Sequence, residues 1–317
     1  MSRIVTNPWG FGLAAAALAA LALFPLTAPN SYFLHIFIIV FIYVILAVGL
    51  DLVFGYCGQY SFAQGAFYGI GGYTAAILFR DLEWGFWATL PSGIVVAGLF
   101  GLLLGVPSLR LAGHFLAIVT IAFQTIVYLL LGSWTGFTGG QYGIGMPRIE
   151  PFAWAGLPRH EGFYYLALLA MALAVLVGWR LAASRIGKEW VSIRDDEMLA
   201  KAVGLNTTRS KLIAFVLSAA FAGGAGVLIV YYLEGAYPQD FAIITSATII
   251  AMVVVGGRAT IVGPILGAVL FTAMPEFLRF TEDYKLIIYG LLMILAMTFL
   301  PAGLIGLGRR LVTRRAD

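Results

Sequence analysis

Apolar runs of roughly twenty residues recur along almost the whole chain, and charge is confined to the short stretches between them. A segment of that length crosses the ~30 Å hydrocarbon core of a bilayer as a helix, because a helix satisfies its own backbone polar groups where no water can. The runs are Phe11 to Phe24, Phe33 to Phe54, Tyr60 to Phe79, Phe86 to Val106, His114 to Leu131, Gly162 to Leu181, Leu212 to Tyr232, Phe241 to Val255, Thr260 to Phe277 and Leu286 to Leu300. The expected fold is therefore all-α, a polytopic integral membrane protein of about ten transmembrane segments. Only 11% of the 317 residues are charged, against ~25% in a typical soluble domain. No polar block is large enough to fold separately, so residues 1–317 are read as one membrane domain.

Loop charge predicts the orientation. Arg180, Arg185, Lys188, Arg194, Lys201, Arg209 and Lys211 cluster between the sixth and seventh runs, and Arg309, Arg310, Arg314 and Arg315 follow the last. In the long loop Gly132 to Glu161, by contrast, Arg148 and Arg159 are balanced by Glu150 and Glu161. Positive loops stay inside, which places both termini in the cytoplasm and the long loop outside. The net charge of +4 is then a topological signal, and no nucleic-acid partner is expected. Cys57, the single cysteine, excludes an intrachain disulfide and a cysteine metal cage. No small-residue cleavage site follows Phe11 to Phe24, so that run reads as the first span and not as a signal peptide.

The one long polar interruption is Gly187 to Lys211, within a cytoplasmic loop at 182–211. Asp195, Asp196 and Glu197 open a helical pattern whose apolar residues Met198, Leu199, Ala202 and Val203 share a face, with Glu197 and Lys201 four apart. Gly204 ends the pattern as a left-handed cap. About two turns are far too short to span a membrane. A short amphipathic helix held between two spans is a docking surface.

Two segments are expected to be broken or re-entrant. Phe241 to Val255 reaches only about 22 Å at 1.5 Å per residue, and Gly55 to Gly72 holds six glycines in eighteen residues, each costing about 1 kcal/mol of helix propensity. Irregular backbone at membrane depth survives only where protein buries it or it lines a cavity. Polar residues gather in the same places: Gln59, Ser61, Gln64 and Tyr68 with Gly65 in the glycine run, Thr120 and Gln124 on one face of the fifth span, and Thr245 and Ser246 in the short segment. They are candidates for a substrate pathway, interhelical hydrogen bonding being the other reading. The pairs Gly65 and Gly69, Gly101 and Gly105, and Gly263 and Gly267 fit close helix packing. A faint echo links Gly58 to Ala66 with Gly257 to Ala268, six spans apart in this count and hence a parallel repeat. Asp51, near the cytoplasmic end of its run, is expected to pair at the interface. No phosphate loop, zinc motif or nucleophile elbow occurs, so no catalytic residue, bound cofactor or metal is assigned.

With these residues in view, Arg194-Asp195-Asp196-Glu197 followed by Ala200, Gly204 and Leu205 resembles the cytoplasmic loop of ABC importer permeases, in particular the LivM-like half of the branched-chain amino acid permeases. GYCGQYSFAQGAFYGIGGY (Gly55 to Tyr73), TGGQYGIG (Thr138 to Gly145), GGRATIVGPILGA (Gly256 to Ala268) and FLPAGLIGL (Phe299 to Leu307) extend the resemblance over most of the chain. It implies that Arg194, Asp195, Asp196, Glu197, Ala200, Lys201, Gly204 and Leu205 couple to a separate ATPase, which carries the ATP and Mg. It also implies a second homologous permease, two ATPase subunits, a solute-binding protein and a place in the bacterial inner membrane. Branched-chain or related hydrophobic amino acids are the implied substrates, with urea, amides and aromatic acids among relatives. Gln64 stands where many relatives carry histidine, so no role resting on protonation carries over. The alternative is an ion-coupled secondary transporter, which needs mid-membrane carboxylates that this chain almost lacks.

Overall fold

The computed structural model describes residues 8–27, 30–108, 114–152, 158–277, 290–291, 294 and 303–306. The expected span Leu286 to Leu300 falls almost wholly outside them, as do the four C-terminal arginines. Twelve helices are described: α1 (Pro8–Thr27), α2 (Ser31–Asp51), α3 (Gln64–Leu82), α4 (Phe86–Ser108), α5 (His114–Ser133), α6 (Thr135–Thr138), α7 (Arg159–Ala183), α8 (Arg185–Asp195), α9 (Glu197–Ala202), α10 (Thr207–Tyr232), α11 (Ile243–Gly256) and α12 (Val262–Phe277). Among the described residues, five apolar stretches are long enough to cross a membrane: Ser31–Tyr56, Phe86–Pro107, Phe115–Ser133, Arg159–Ala183 and Thr207–Tyr232. The fold is that of an all-α polytopic membrane protein.

Contacts fix two ends. At one, the strands β1 (Ile144–Gly145) and β2 (Gly235–Ala236) pair antiparallel, Arg159 bridges Glu234 at 2.7 Å, and Arg80 donates to the Phe137 carbonyl at 2.9 Å. At the other lie α8 and α9, against the residues that follow α2. The loops expected to share one side of the membrane, Gly132 to Glu161 and the segment holding Glu234 and Asp240, therefore do meet. Among the described residues, α1, α2, α3, α4, α5, α7, α10, α11 and α12 alternate in direction between these ends.

Helix α10 is the axis, packed mainly on α4 and α3 and then on α2. The approach is close because both sides lack side chains. A Cβ on Gly223 would lie 2.5 Å from Ala97 and 2.6 Å from the Gly93 carbonyl, and one on Gly226 would collide with the Tyr68 carbonyl. Small residues let helices gain van der Waals contact where lipid gives no hydrophobic drive. The predicted glycine pairs behave alike: Gly101 faces Ala219 and Gly105 faces Leu212 on α10, while Gly267 abuts the Met252 backbone across the α11–α12 hairpin.

Both suspected segments are irregular. After Asp51 the helix widens into a π turn, Leu52–Tyr56, and helical structure resumes only at Gln64, not at Tyr60. Gly58 there adopts φ +71°, a left-handed conformation that glycine enters without a Cβ penalty. Helix α11 is 14 residues long and is followed by Gly257 at φ +119° and Ala259 at φ +56°. The echo between Gly58 and Gly257 thus marks a left-handed break in each segment. Asp51 departs from the interfacial reading. It is 2% exposed, and its Oδ1 accepts from the Ala259 amide at 2.8 Å, because that turn leaves an amide with no helical partner.

Candidate functional site: a docking helix and a capped helix break

The loop from Ser184 to Asn206 is two helices, not one. Ser184 caps α8 by accepting from the Gly187 amide, and the fully buried Trp190 fastens α8 to α10 by donating from Nε1 to the Ser210 carbonyl at 2.8 Å. Ser210 Oγ also donates to Glu189. Asp195 closes α8 and does not open the next helix, contrary to the sequence reading. The cause is Asp196, extended at φ −157°, whose Oδ1 accepts from the Met198 and Leu199 amides at 2.8 and 3.0 Å. An aspartate offered two free amides caps a new helix sooner than continue an old one.

Helix α9 then runs for six residues and stops at Gly204, φ +89°. The Leu205 amide donates to the Ala200 carbonyl at 3.1 Å and the Gly204 amide to the Lys201 carbonyl at 3.0 Å, the paired bonds of a Schellman cap. Ala200 faces inward at 2% exposure, while Met198, Leu199 and Val203 stand out at 76%, 62% and 70%. Glu197 holds the helix in place. It bridges Lys201 at 2.9 Å and the buried Lys211 of α10 at 2.6 Å. Burial raises the Glu197 pKa, but the hydrogen bonds and charges of Lys211 and Lys201 outweigh it, and the net shift is downward. A depressed carboxylate pKa contributes stability that is complete above the unfolded value and is lost only as pH falls through the folded one. The clamp therefore loosens only in acid and is intact at neutral pH.

Among the remaining coupling candidates, Asp195 and Lys201 are exposed and Leu205 is half-buried. Arg194 is half-buried, bonding Asp195 and the Gly55 carbonyl. Lys211 was legible only as part of a basic cluster. Its position four residues after the start of α10, on the face that α9 covers, is the signal that would have singled it out.

The second assembly surrounds the start of α3. A helix that begins inside a protein leaves amides unpaired, and the pathway candidates meet them. The Gly65 amide donates to Ser246 Oγ of α11 at 2.8 Å, and the Phe62 amide donates to Thr120 Oγ1 of α5 at 3.0 Å. Ser61 Oγ accepts from Ala63 at 3.4 Å. Ser246 in turn donates to Gln124 Oε1 at 3.1 Å, and Gln124 Nε2 donates to the Phe241 carbonyl at 2.7 Å. Gln64 bonds the Leu46 carbonyl at 3.1 Å and accepts from Ser218 at 3.0 Å. Tyr68 packs edge-on to Phe241 with ring centroids 5.0 Å apart. Thr245 donates to the Asp240 carbonyl at 3.0 Å, apart from the others. Gln59 is half-buried, and its Nε2 donates to the Cys57 carbonyl at 3.4 Å. Seven of the nine candidates thus form one buried assembly, with Gln59 and Thr245 at its margins. Among the described residues no group of three or more His, Cys, Asp or Glu side chains could hold a metal.

A bundle of alternating apolar helices, with one short amphipathic helix displayed at one end and a broken span capped from its neighbours, is the frame of a multi-pass membrane protein. The family model described as "Branched-chain amino acid transport system / permease component" matches residues 32–297, and the chain belongs to that family. It is 37% identical over 291 residues to the high-affinity branched-chain amino acid transport system permease protein LivM of Salmonella typhimurium, covering 84% of this chain and 68% of that protein. LivM of Escherichia coli is 36% identical over the same length and coverage. The permease LivH of Escherichia coli is 24% identical over 285 residues, 83% of this chain and 91% of that protein. No solved structure matches. The family supports the permease reading and gives the ion-coupled alternative no support.

Proposed function

We propose that this chain is one permease half of an import system for branched-chain or related hydrophobic amino acids. It would work in the bacterial inner membrane beside a second homologous permease, with two ATPase subunits holding ATP and Mg and a binding protein delivering the solute. The observation that carries this reading is α9: a capped, two-turn helix showing water three large apolar side chains, held to the membrane helix α10 by the ion pair of Glu197 with the buried Lys211. A face of that kind is stable when covered, and a cytoplasmic ATPase subunit is the covering that the family context supplies. The assembly around Gly65 supports a pathway at the broken span, because it fixes the start of α3 from both α5 and α11.

A cysteine at Lys201 is expected to crosslink to the ATPase subunit, with a yield that changes when ATP is added. If no position from Asp196 to Gly204 crosslinks in either state, α9 is only a connector. Orientation is tested separately. In intact cells an impermeant thiol reagent should modify a cysteine placed at the exposed Gln141 and spare one at Lys201; the opposite pattern inverts the topology.

A further inference from the structure

The docking helix and the broken spans meet at one residue. Arg194 lies in the last turn of α8, three positions before α9 begins, and its Nη1 donates to the Gly55 carbonyl at 3.0 Å. That carbonyl lies in the π turn, where the widened helix loses its regular bonding. The stem of Arg194 lies over Gly58, where an added Cβ would sit 2.6 Å from Cγ and 3.1 Å from Cβ of the arginine. On the far side of the turn, a Cβ on Gly55 would collide with Asp51 Oδ1 and lie 2.5 Å from the Ala259 amide, the same pair that Asp51 joins at 2.8 Å. Asp51 Oδ2 has no hydrogen-bond partner among the described residues, and Arg194 and Arg258 are the cations within electrostatic reach of the carboxylate. Gly303 abuts Gly257 beside it, where an added Cβ would sit 2.5 Å from the Gly257 Cα. A continuous chain of contacts therefore runs from α9 through Arg194, Gly55 and Asp51 to the break between α11 and α12.

We propose that Arg194 is the positioning residue that transmits displacement of α9 to both broken spans, pulling the π turn directly and the Ala259 turn through Asp51. The proposal rests on the docking reading of α9. An arginine suits the task because its rigid fork can hold a carbonyl while its stem packs on a glycine. A carbonyl freed by a π turn is also easier to move than one inside a regular helical ladder.

The test uses the whole complex with its binding protein in liposomes, leucine as the transported probe, and the ratio of leucine moved to ATP hydrolysed as the readout. Arg194→Gln is expected to lower that ratio about tenfold with the ATPase subunit still captured. Arg194→Lys, which keeps one donor for Gly55, should restore part of the loss. Gly58→Ala, which displaces the arginine stem and also strains a φ +71° position, should lower the ratio as well, and Arg194→Met, which keeps an apolar stem and removes the donor, carries the test if Arg194→Gln does not accumulate. An unchanged ratio in the variant that accumulates overturns the proposal, as does loss of ATPase capture by Arg194→Gln, which would put Arg194 in the dock itself. Wild-type chain that captures no ATPase overturns the docking reading, and the proposal with it.

Discussion

Replacing Gly65 with leucine is expected to abolish uptake and to lower the thermal stability of the purified chain. A Cβ at this position would stand 2.8 Å from Ser246 Oγ and 3.1 Å from Gln124 Oε1, so even alanine displaces the hydroxyl that caps α3. Leucine must also find room for three further carbons among residues that are buried on every side. Overfilling a packed interior costs about 1–3 kcal/mol, and each buried polar group left unpaired costs about 1–3 kcal/mol more. The Gly65 amide and the Gln124 oxygen would both lose Ser246. Ser246→Ala removes the cap without adding volume and should give a smaller loss, with Gly65→Ala close to it. The measurements are leucine uptake normalised to the amount of chain in the membrane, and melting of the detergent-purified protein. Normal uptake by a well-expressed Gly65→Leu variant would remove the case for a pathway at the broken span.

Glu197→Lys should uncouple the system more completely than any other single change between Ser184 and Asn206. Lys211 is 3% exposed, and with Glu197 gone it would lose the one acid that bridges it among the described residues and meet the new lysine instead. Removing one partner of a buried pair costs about 3–5 kcal/mol; Glu197 keeps 31% of its surface, so the lower end of that range applies here. The expected result is α9 released from α10, ATPase capture reduced, and transport lost while the membrane helices stay folded. Proteolysis between Asp196 and Gly204, absent in the wild type and present in the variant, would report the release directly. Transport at the wild-type rate would show that the helix needs no clamp.

Most of the architecture was legible because apolar run length is a direct physical demand of the bilayer. The same demand exposed the two flawed segments, since a run with six glycines, or one of only fifteen residues from Phe241 to Val255, cannot be an ordinary span. Charge spacing likewise gave the Glu197–Lys201 pair, and Gly204 marked its own cap. The missed features were contacts made across long separations in sequence. Asp51 looked interfacial because its turn of partner amides lies 208 residues away, and Lys211 looked like one more inside charge because its acid sits on a different helix. The split at Asp196 was missed for a local reason. Three consecutive acidic residues, Asp195, Asp196 and Glu197, all favour a first helical turn, and only the backbone reveals which one breaks the chain.

The close glycine seam between α3 and α10 also bears on how the chain is built during synthesis. Helix α3 is wrapped in protein along most of its length, yet it is absent from the stretches long and apolar enough to span a membrane alone. Its glycines and glutamine give little to lipid, and Arg80 and Asp81 lie in its last turn. The helix that seals its glycine face, α10, emerges from the ribosome more than a hundred residues later. Until then that face has no α10 to cover it, so α3 reaches its packed state only after α10 has been made.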